Sequence, residues 1–309
     1  MTGTTVRAEA PGVRGAQGKD GSTGGASAPR AGRSDGEREF KFTSADFEKV
    51  RKLIYDHAGI SLAPAKQDMV YSRLARRLRA CGDATFADYL KRLDNDRAEW
   101  ENFANSLTTN LTSFFREPHH FEVLTQVLRD HRGARPIKIW CAAASTGEEP
   151  YTLAITACEA FRTMDPPVRI MASDIDTNVL KQAEQGVFRQ DRIDRMDPER
   201  VRKFFLKGSG AQGGYVKIRP ELARLVSFRQ INLLDAKYPI QGPVDYIFCR
   251  NVMIYFDKPT QYAILKRFAP LLKPDGLLFA GHSESFLHAA DIFKSRGRTV
   301  YELTNATRR

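Results

Sequence analysis

Apolar and polar residues follow two different rhythms along this chain. From residue 40 to about 105 the apolar side chains recur at helical spacing: Phe47, Val50 and Ile54, then Val70, Tyr71, Leu74 and Leu78, then Phe86, Tyr89, Leu90 and Leu93, and finally Trp100, Phe103 and Leu107. Thr43 with Asp46 forms a capping-box-like start, Thr85 with Asp88 marks another helix start, and Gly59 marks a stop. From residue 137 onward the rhythm changes. Short apolar runs at 137–140, 169–172, 226–233, 246–249 and 277–280 alternate with helical stretches, which predicts a mostly parallel sheet covered on both faces. The last two runs, 292–295 and 299–303, are joined by Arg296-Gly297-Arg298 and predict a β-hairpin. Between the second and third strands a polar stretch to about 206 reads as helical. The glycine-rich KGSGAQGG that follows, with 215–218, reads as a small β excursion over 207–225, outside the main sheet.

Composition narrows the class. With 309 residues, 42% hydrophobic and 28% charged, the chain has room for a medium domain and a smaller one. No run approaches the roughly 20 apolar residues of a membrane span, and no signal-like apolar core opens the chain, so a cytoplasmic protein without membrane insertion is expected. The four cysteines are scattered without zinc spacing and read as buried, reduced thiols. Residues 1–38 are rich in Gly, Ala, Ser and Arg and lack any aromatic, too little apolar surface to offset ordering entropy. A disordered, inert tail is expected there, then a helical module over 39–109 and the sheet-bearing domain over 110–309. The net charge of +11 points to an acidic partner without choosing among nucleic acid, anionic lipid and protein. On the helix expected over 66–79, Lys66, Arg73, Arg76 and Arg77 form a basic stripe beside the apolar one. It reads either as a solvated face or as a docking surface for acidic helices or nucleic acid.

The candidate chemistry gathers at strand ends. The stretch 137–150, IKIWCAAASTGEEP, is a strand, a tight turn of small residues, and a helix opening with Glu148, Glu149 and Pro150. Such a turn at the carboxyl edge of a parallel sheet lets a ligand approach the backbone. Two carboxylates there disfavour phosphate and suit hydroxyl and ammonium groups, hence an adenosine with a cationic tail. Asp174, ending the second strand, is placed for a ribose diol. Asn232 and Leu233 end the third strand, where they are placed for an adenine, and Cys249, Arg250 and Asn251 end the fourth. His119 and His120 lack a third ligand at metal spacing, so no metal is expected.

The succession of strands and helices closing in an antiparallel hairpin resembles the class I AdoMet-dependent methyltransferases, a Rossmann-like α/β fold, although the first turn has one glycine, Gly147, in place of a G-x-G-x-G series. Four separated motifs make the resemblance narrower: TNLTSFFREPHHF at 109–121, the first turn, ASDIDTNVL at 172–180 and FCRNVMIYF at 248–256. Together they closely resemble the CheR family, the chemotaxis receptor glutamate O-methyltransferases. The resemblance implies S-adenosylmethionine as methyl donor and S-adenosylhomocysteine as product. It implies cofactor contacts at Asn110, Thr112, Arg116, Glu149, Asp174, Asn232, Leu233 and the corner Cys249-Arg250-Asn251, with Arg116 and Tyr255 at the methyl-transfer site. It further implies that the helix bearing Lys66, Arg73, Arg76 and Arg77 faces the receptor's acidic helices. In part of the family the β excursion also binds a receptor C-terminal peptide by strand addition.

The chemistry agrees. Methyl transfer from a sulfonium is an in-line displacement that needs alignment above all. A glutamate with an unperturbed pKa of ~4.3 is already ionised at neutral pH, so no general base is required. Two alternatives stand beside this reading. A nucleic-acid methyltransferase would fit the basic charge, but the [DN]-P-P-[YFW] motif of base-amine methylation is missing after the fourth strand, where Arg250-Asn251-Val252-Met253 stands. A non-catalytic AdoMet-binding scaffold is opposed by the presence of Arg116 and Tyr255. Nothing requires more than a monomer.

Overall fold

The computed structural model describes residues 38–307 apart from 132 and 134; the tail expected over 1–38 lies outside the described residues except for Arg38. Four helices come first: α1 (Ser44–Ala58), α2 (Gln67–Cys81), α3 (Phe86–Arg92) and α4 (Arg97–Leu107). Their starts are chemically marked. The Thr43 hydroxyl accepts the Asp46 N–H while the Asp46 carboxylate accepts the Thr43 N–H, completing the capping box. Thr85 and Asp96 accept the corresponding amides of α3 and α4. Gly59 ends α1 in the left-handed region, at φ 68°. The apolar stripes meet in one core where Val50, Ile54, Val70, Leu74, Leu78 and Phe103 are fully buried, each worth roughly 1.5–3 kcal/mol over exposure.

The rest of the chain adds α5 (His119–Asp130), β1 (Ile137–Cys141), α6 (Glu148–Phe161), β2 (Val168–Asp174), α7 (Thr177–Gln185), β3 (Val187–Arg189), α8 (Pro198–Phe204), β4 (Phe205–Lys207), β5 (Tyr215–Ile218) and α9 (Pro220–Ala223). It closes with β6 (Val226–Gln230), β7 (Val244–Phe248), α10 (Lys258–Phe268), β8 (Leu272–Phe279), β9 (Phe293–Ser295) and β10 (Val300–Leu303). Seven strands make the large sheet in the order β6-β2-β1-β7-β8-β10-β9. The first five run parallel, and β10 is antiparallel to both its neighbours. This is the class I methyltransferase arrangement. Side chains alternate across the sheet. Ile137, Ile139 and Cys141 of β1 pack with Leu124 of α5 and Leu153 of α6, whereas Trp140 packs with Ile264 and Phe268 of α10. The chain leaves β1 toward β2 on one side and later returns to β7 on the other, which opens a crevice at the strands' carboxyl ends.

The β excursion differs from its expected limits. It is a three-stranded antiparallel sheet, β3-β5-β4, built from 187–218 rather than 207–225. β3 lies within the stretch that reads as helical from the sequence. Three-residue strands are too short to display a period of two, and what sets them is tertiary: Phe188, Phe205, Val216 and Ile218 all turn into the core beneath α6. The strand at 215–218 is central, so the free edges are β3 and β4. β6 ends at Gln230, which puts Asn232 and Leu233 in the loop beyond it.

Candidate active site

The helical module roofs the crevice. Between them lies a cavity of about 380 Å³. Its sheet wall holds Ala142, Ala143, Ser145 and Glu149 after β1, Asp174 at the end of β2, Asn232 and Leu233 after β6, and Arg250 and Asn251 after β7. The opposite wall carries Leu62, Lys66 and Met69, and the segment joining the two modules adds Asn110, Leu111, Thr112 and Arg116. Tyr255 stands at the rim beside Ile254, which is 51% exposed.

The turn after β1 is fixed by two contacts. Ser145 N–H donates to Asp174 at 2.8 Å, tying the first turn to the end of β2. Gly147 takes φ 101°, and a Cβ there would stand 2.9 Å from the Ala183 Cβ, so the single glycine serves the approach of α7 rather than of a ligand. Of the paired carboxylates only Glu149 lines the cavity. Glu148 is buried against Arg192 and the Thr146 hydroxyl. Burial raises the Asp174 carboxyl to about 6 against the opposing pull of its backbone N–H partners.

Arg250 is the electrostatic centre. Its side chain is wholly buried, donates to Glu149 at 2.5 Å and to the Arg116 carbonyl, and lies 3.2 Å from Glu117. Glu117 also accepts from Asn251 Nδ2 at 3.1 Å, from the His282 N–H at 3.0 Å, and faces His282 Nδ1 at 2.9 Å. Burial works to raise the Glu117 carboxyl, but the bonds from His282 and Asn251 and the Arg250 charge outweigh it and hold the group down at about 2. Glu284, buried behind the same corner, accepts the N–H groups of Asn251 and Met253. Neither Glu117 nor Glu284 stood out in the sequence. The signals were a carboxylate directly after Arg116 in a strap ending in proline, and an acid in GHSESF just past the fifth strand.

Other expected site residues have other tasks. Asn110 Nδ2 donates to Asp176 and Thr108, holding the strap to the start of α7. Asn232 lines the cavity, and its Nδ2 donates to the His57 carbonyl at 2.6 Å, joining the two modules. Cys249 does not line the cavity. One residue out of phase with Phe248 and Arg250, it points into the core with Trp140 and Leu265, and burial raises its thiol well above the usual range. Of the basic stripe, Lys66 and Arg76 are exposed and form no ion pair among the described residues. Arg73 and Arg77 are half-buried and bonded within the helical module. Arg73 donates to the carbonyls of Leu107 and Thr108 at the end of α4, and Arg77 forms a bidentate pair with Glu99, because both sit where α2 meets α4 rather than solvent. Glu117, His119 and His120 come close enough to share a cation, a cluster that residue spacing concealed. The Arg250 guanidinium on the same carboxylate works against it.

Residues 110–301 match the family model described as CheR methyltransferase, SAM binding domain, and 45–108 match CheR methyltransferase, all-alpha domain. The chain belongs to the CheR methyltransferase family. Relatives include chemotaxis protein methyltransferase 2 of Pseudomonas aeruginosa, 53% identical over 86% of this chain and 95% of its own length. The chemotaxis protein methyltransferase of Salmonella typhimurium is 51% identical over 85% and 91%, and that of Escherichia coli 50% identical over 85% and 92%. S-adenosylmethionine is accordingly the cofactor, and the cavity of this CheR family member fits it chemically. Two carboxylates face inward, Leu233 and Val252 supply apolar wall, and the buried Arg250 Nε has no partner. Among the described residues no helix is long and apolar enough to cross a membrane.

Proposed function

We propose that this protein transfers a methyl group from S-adenosylmethionine to glutamate carboxylates of methyl-accepting chemotaxis receptors, in the cytoplasm and as a monomer. The observation that carries this reading is the single cavity with carboxylates Glu149 and Asp174 along the sheet edge, Arg116 and Tyr255 toward the rim, and the exposed Lys66 at the mouth. The cofactor supplies an electrophilic methyl carbon on a sulfonium. Glu149 accepts from its ammonium group and Asp174 from the ribose diol, while Leu233 and Val252 flank the base. Arg116, whose guanidinium donates one side-chain bond among the described residues, to the Leu111 carbonyl at 2.9 Å, clamps the incoming carboxylate. Tyr255 offers its hydroxyl beside it. The acceptor arrives ionised, so the protein's task is alignment and exclusion of water. Lys66 and Arg76 attract the acidic face of the receptor helix.

The test is incubation with methyl-labelled S-adenosylmethionine and a receptor cytoplasmic fragment. Label released as methanol by alkali supports a carboxyl ester; alkali-stable label on protein or nucleic acid sinks the reading, and absence of label leaves a binding scaffold. A receptor C-terminal peptide adds as a strand along the free edge of β3 or β4 in this proposal. A titration with such a peptide that shows no saturable signal removes the tether.

A further inference from the structure

Outside the residues assigned above, the most heavily connected side chain near the cavity is Glu117. It does not line the cavity, yet it reaches the guanidinium of Arg250, the amide of Asn251 and both nitrogens presented by His282. Its own backbone is held at φ 57°, the left-handed region, directly after Arg116. A half-buried carboxylate is thus kept in a costly backbone conformation against a buried cation.

Arg250 sits between two carboxylates, Glu149 at 2.5 Å and Glu117 at 3.2 Å. With Glu149 alone it would form a neutral pair, and a carboxylate neutralised by a buried guanidinium is a weak acceptor for an ammonium group. With both, the trio carries one net negative charge inside a wall that excludes water, and that charge opens into the cavity at Glu149. The surrounding groups do not cancel it. Burial drives the His120 imidazole down to about 4, helped by the Arg250 charge, so it is neutral. The thiols of Cys141 and Cys249 are pushed well up by burial and stay protonated. His119 is half-buried against the His120 ring, and the His282 side chain is 67% exposed to water. Among the described residues that line the cavity, Arg116 and Lys66 are the other permanent cations, Lys66 exposed at the mouth, and Asp174 adds further negative charge.

We propose that Glu117 is a positioning residue that acts through Arg250: it supplies the second carboxylate that keeps the Glu149 end of the site net negative, and thereby raises the affinity for the cationic sulfonium donor relative to that for its uncharged thioether product. The inference rests on the cofactor assignment. S-adenosylmethionine carries one positive charge more than S-adenosylhomocysteine, so a lost negative charge must be felt more by the first. A merely structural loss weakens both alike.

The experiment measures calorimetric affinity for each compound with wild-type protein, Glu117→Gln, Glu117→Asp and the double variant Glu117→Gln, Arg250→Gln. Wild-type protein that binds neither compound defeats the cofactor reading itself, apart from this inference. For Glu117→Gln the donor affinity is expected to fall about tenfold and that of the product about threefold, shifting their ratio about threefold. Glu117→Asp keeps the charge and returns the ratio to the wild-type value. The double variant removes one charge of each sign, so both affinities fall while the ratio again matches wild type. Equal losses for the two compounds in Glu117→Gln, or no loss, overturn the proposal. Should that variant not fold, the double variant decides, because a ratio displaced from wild type there overturns it as well.

Discussion

The two walls of the cavity treat charge in opposite ways. On the sheet side Glu149, Asp174 and Arg250 are buried, and protein groups hold each one: a guanidinium, two backbone amides, two carboxylates. On the helical side Lys66 and Arg76 stand exposed, while Arg73 and Arg77 on the same helix turn inward to α4. A buried charge must have its partner supplied by the fold. A charge left without one at the surface is available to another molecule. The same helix therefore divides its basic residues between holding the module together and meeting a partner, and sequence spacing alone cannot make that division.

That contrast can be broken at several points. Arg116→Ala takes away the carboxylate clamp proposed above, and kcat/KM for receptor methylation is expected to fall about 10²–10³-fold with the melting temperature kept. Turnover near wild type would remove Arg116 from the reaction. Arg77→Met strands the buried Glu99 and should lower the unfolding free energy by ~3 kcal/mol, read by denaturant titration, with product affinity unchanged. A loss of affinity without a loss of stability would return Arg77 to the docking surface.

The third test uses acidity. Asp174 holds its proton more tightly folded than unfolded, so its contribution to stability is present at low pH and lost as pH rises from 3.8 to about 6. In the proposed binding mode donor affinity runs the other way, because it is the ionised carboxylate that would accept the ribose hydroxyls. Between about pH 5 and 7 affinity should climb roughly tenfold and then level off, and Asp174→Asn should flatten the profile. The smallest effect is expected at the mouth. Lys66→Ala or Arg76→Ala should raise KM for a receptor fragment about threefold each, leaving kcat alone and stability within ~0.5 kcal/mol. An unmoved KM would make that face merely solvated.

What the sequence made legible follows the same division. The parallel sheet was readable because short apolar-rich segments alternate with helical stretches, and Asp174 and Arg250 because strand ends converge on one crevice. Glu117 was not, since the residues that give it meaning lie 134 and 165 positions away. β3 was hidden by its length, and Cys249 misplaced by one step of strand parity. Asn232 was found in the right place, and its further bond to a carbonyl of the helical module was hidden because His57 lies far away in the chain.

That joint has a consequence for how such enzymes diversify. Near the cavity the helical module contributes two main-chain groups to it, the His57 carbonyl that accepts from Asn232 Nδ2 and the Ser61 N–H that donates to the Tyr255 carbonyl at 2.8 Å. Main-chain atoms are the same in every residue type. The surface of α1 and α2 can accordingly drift to follow a changing receptor while the hinge line above the cofactor keeps its shape.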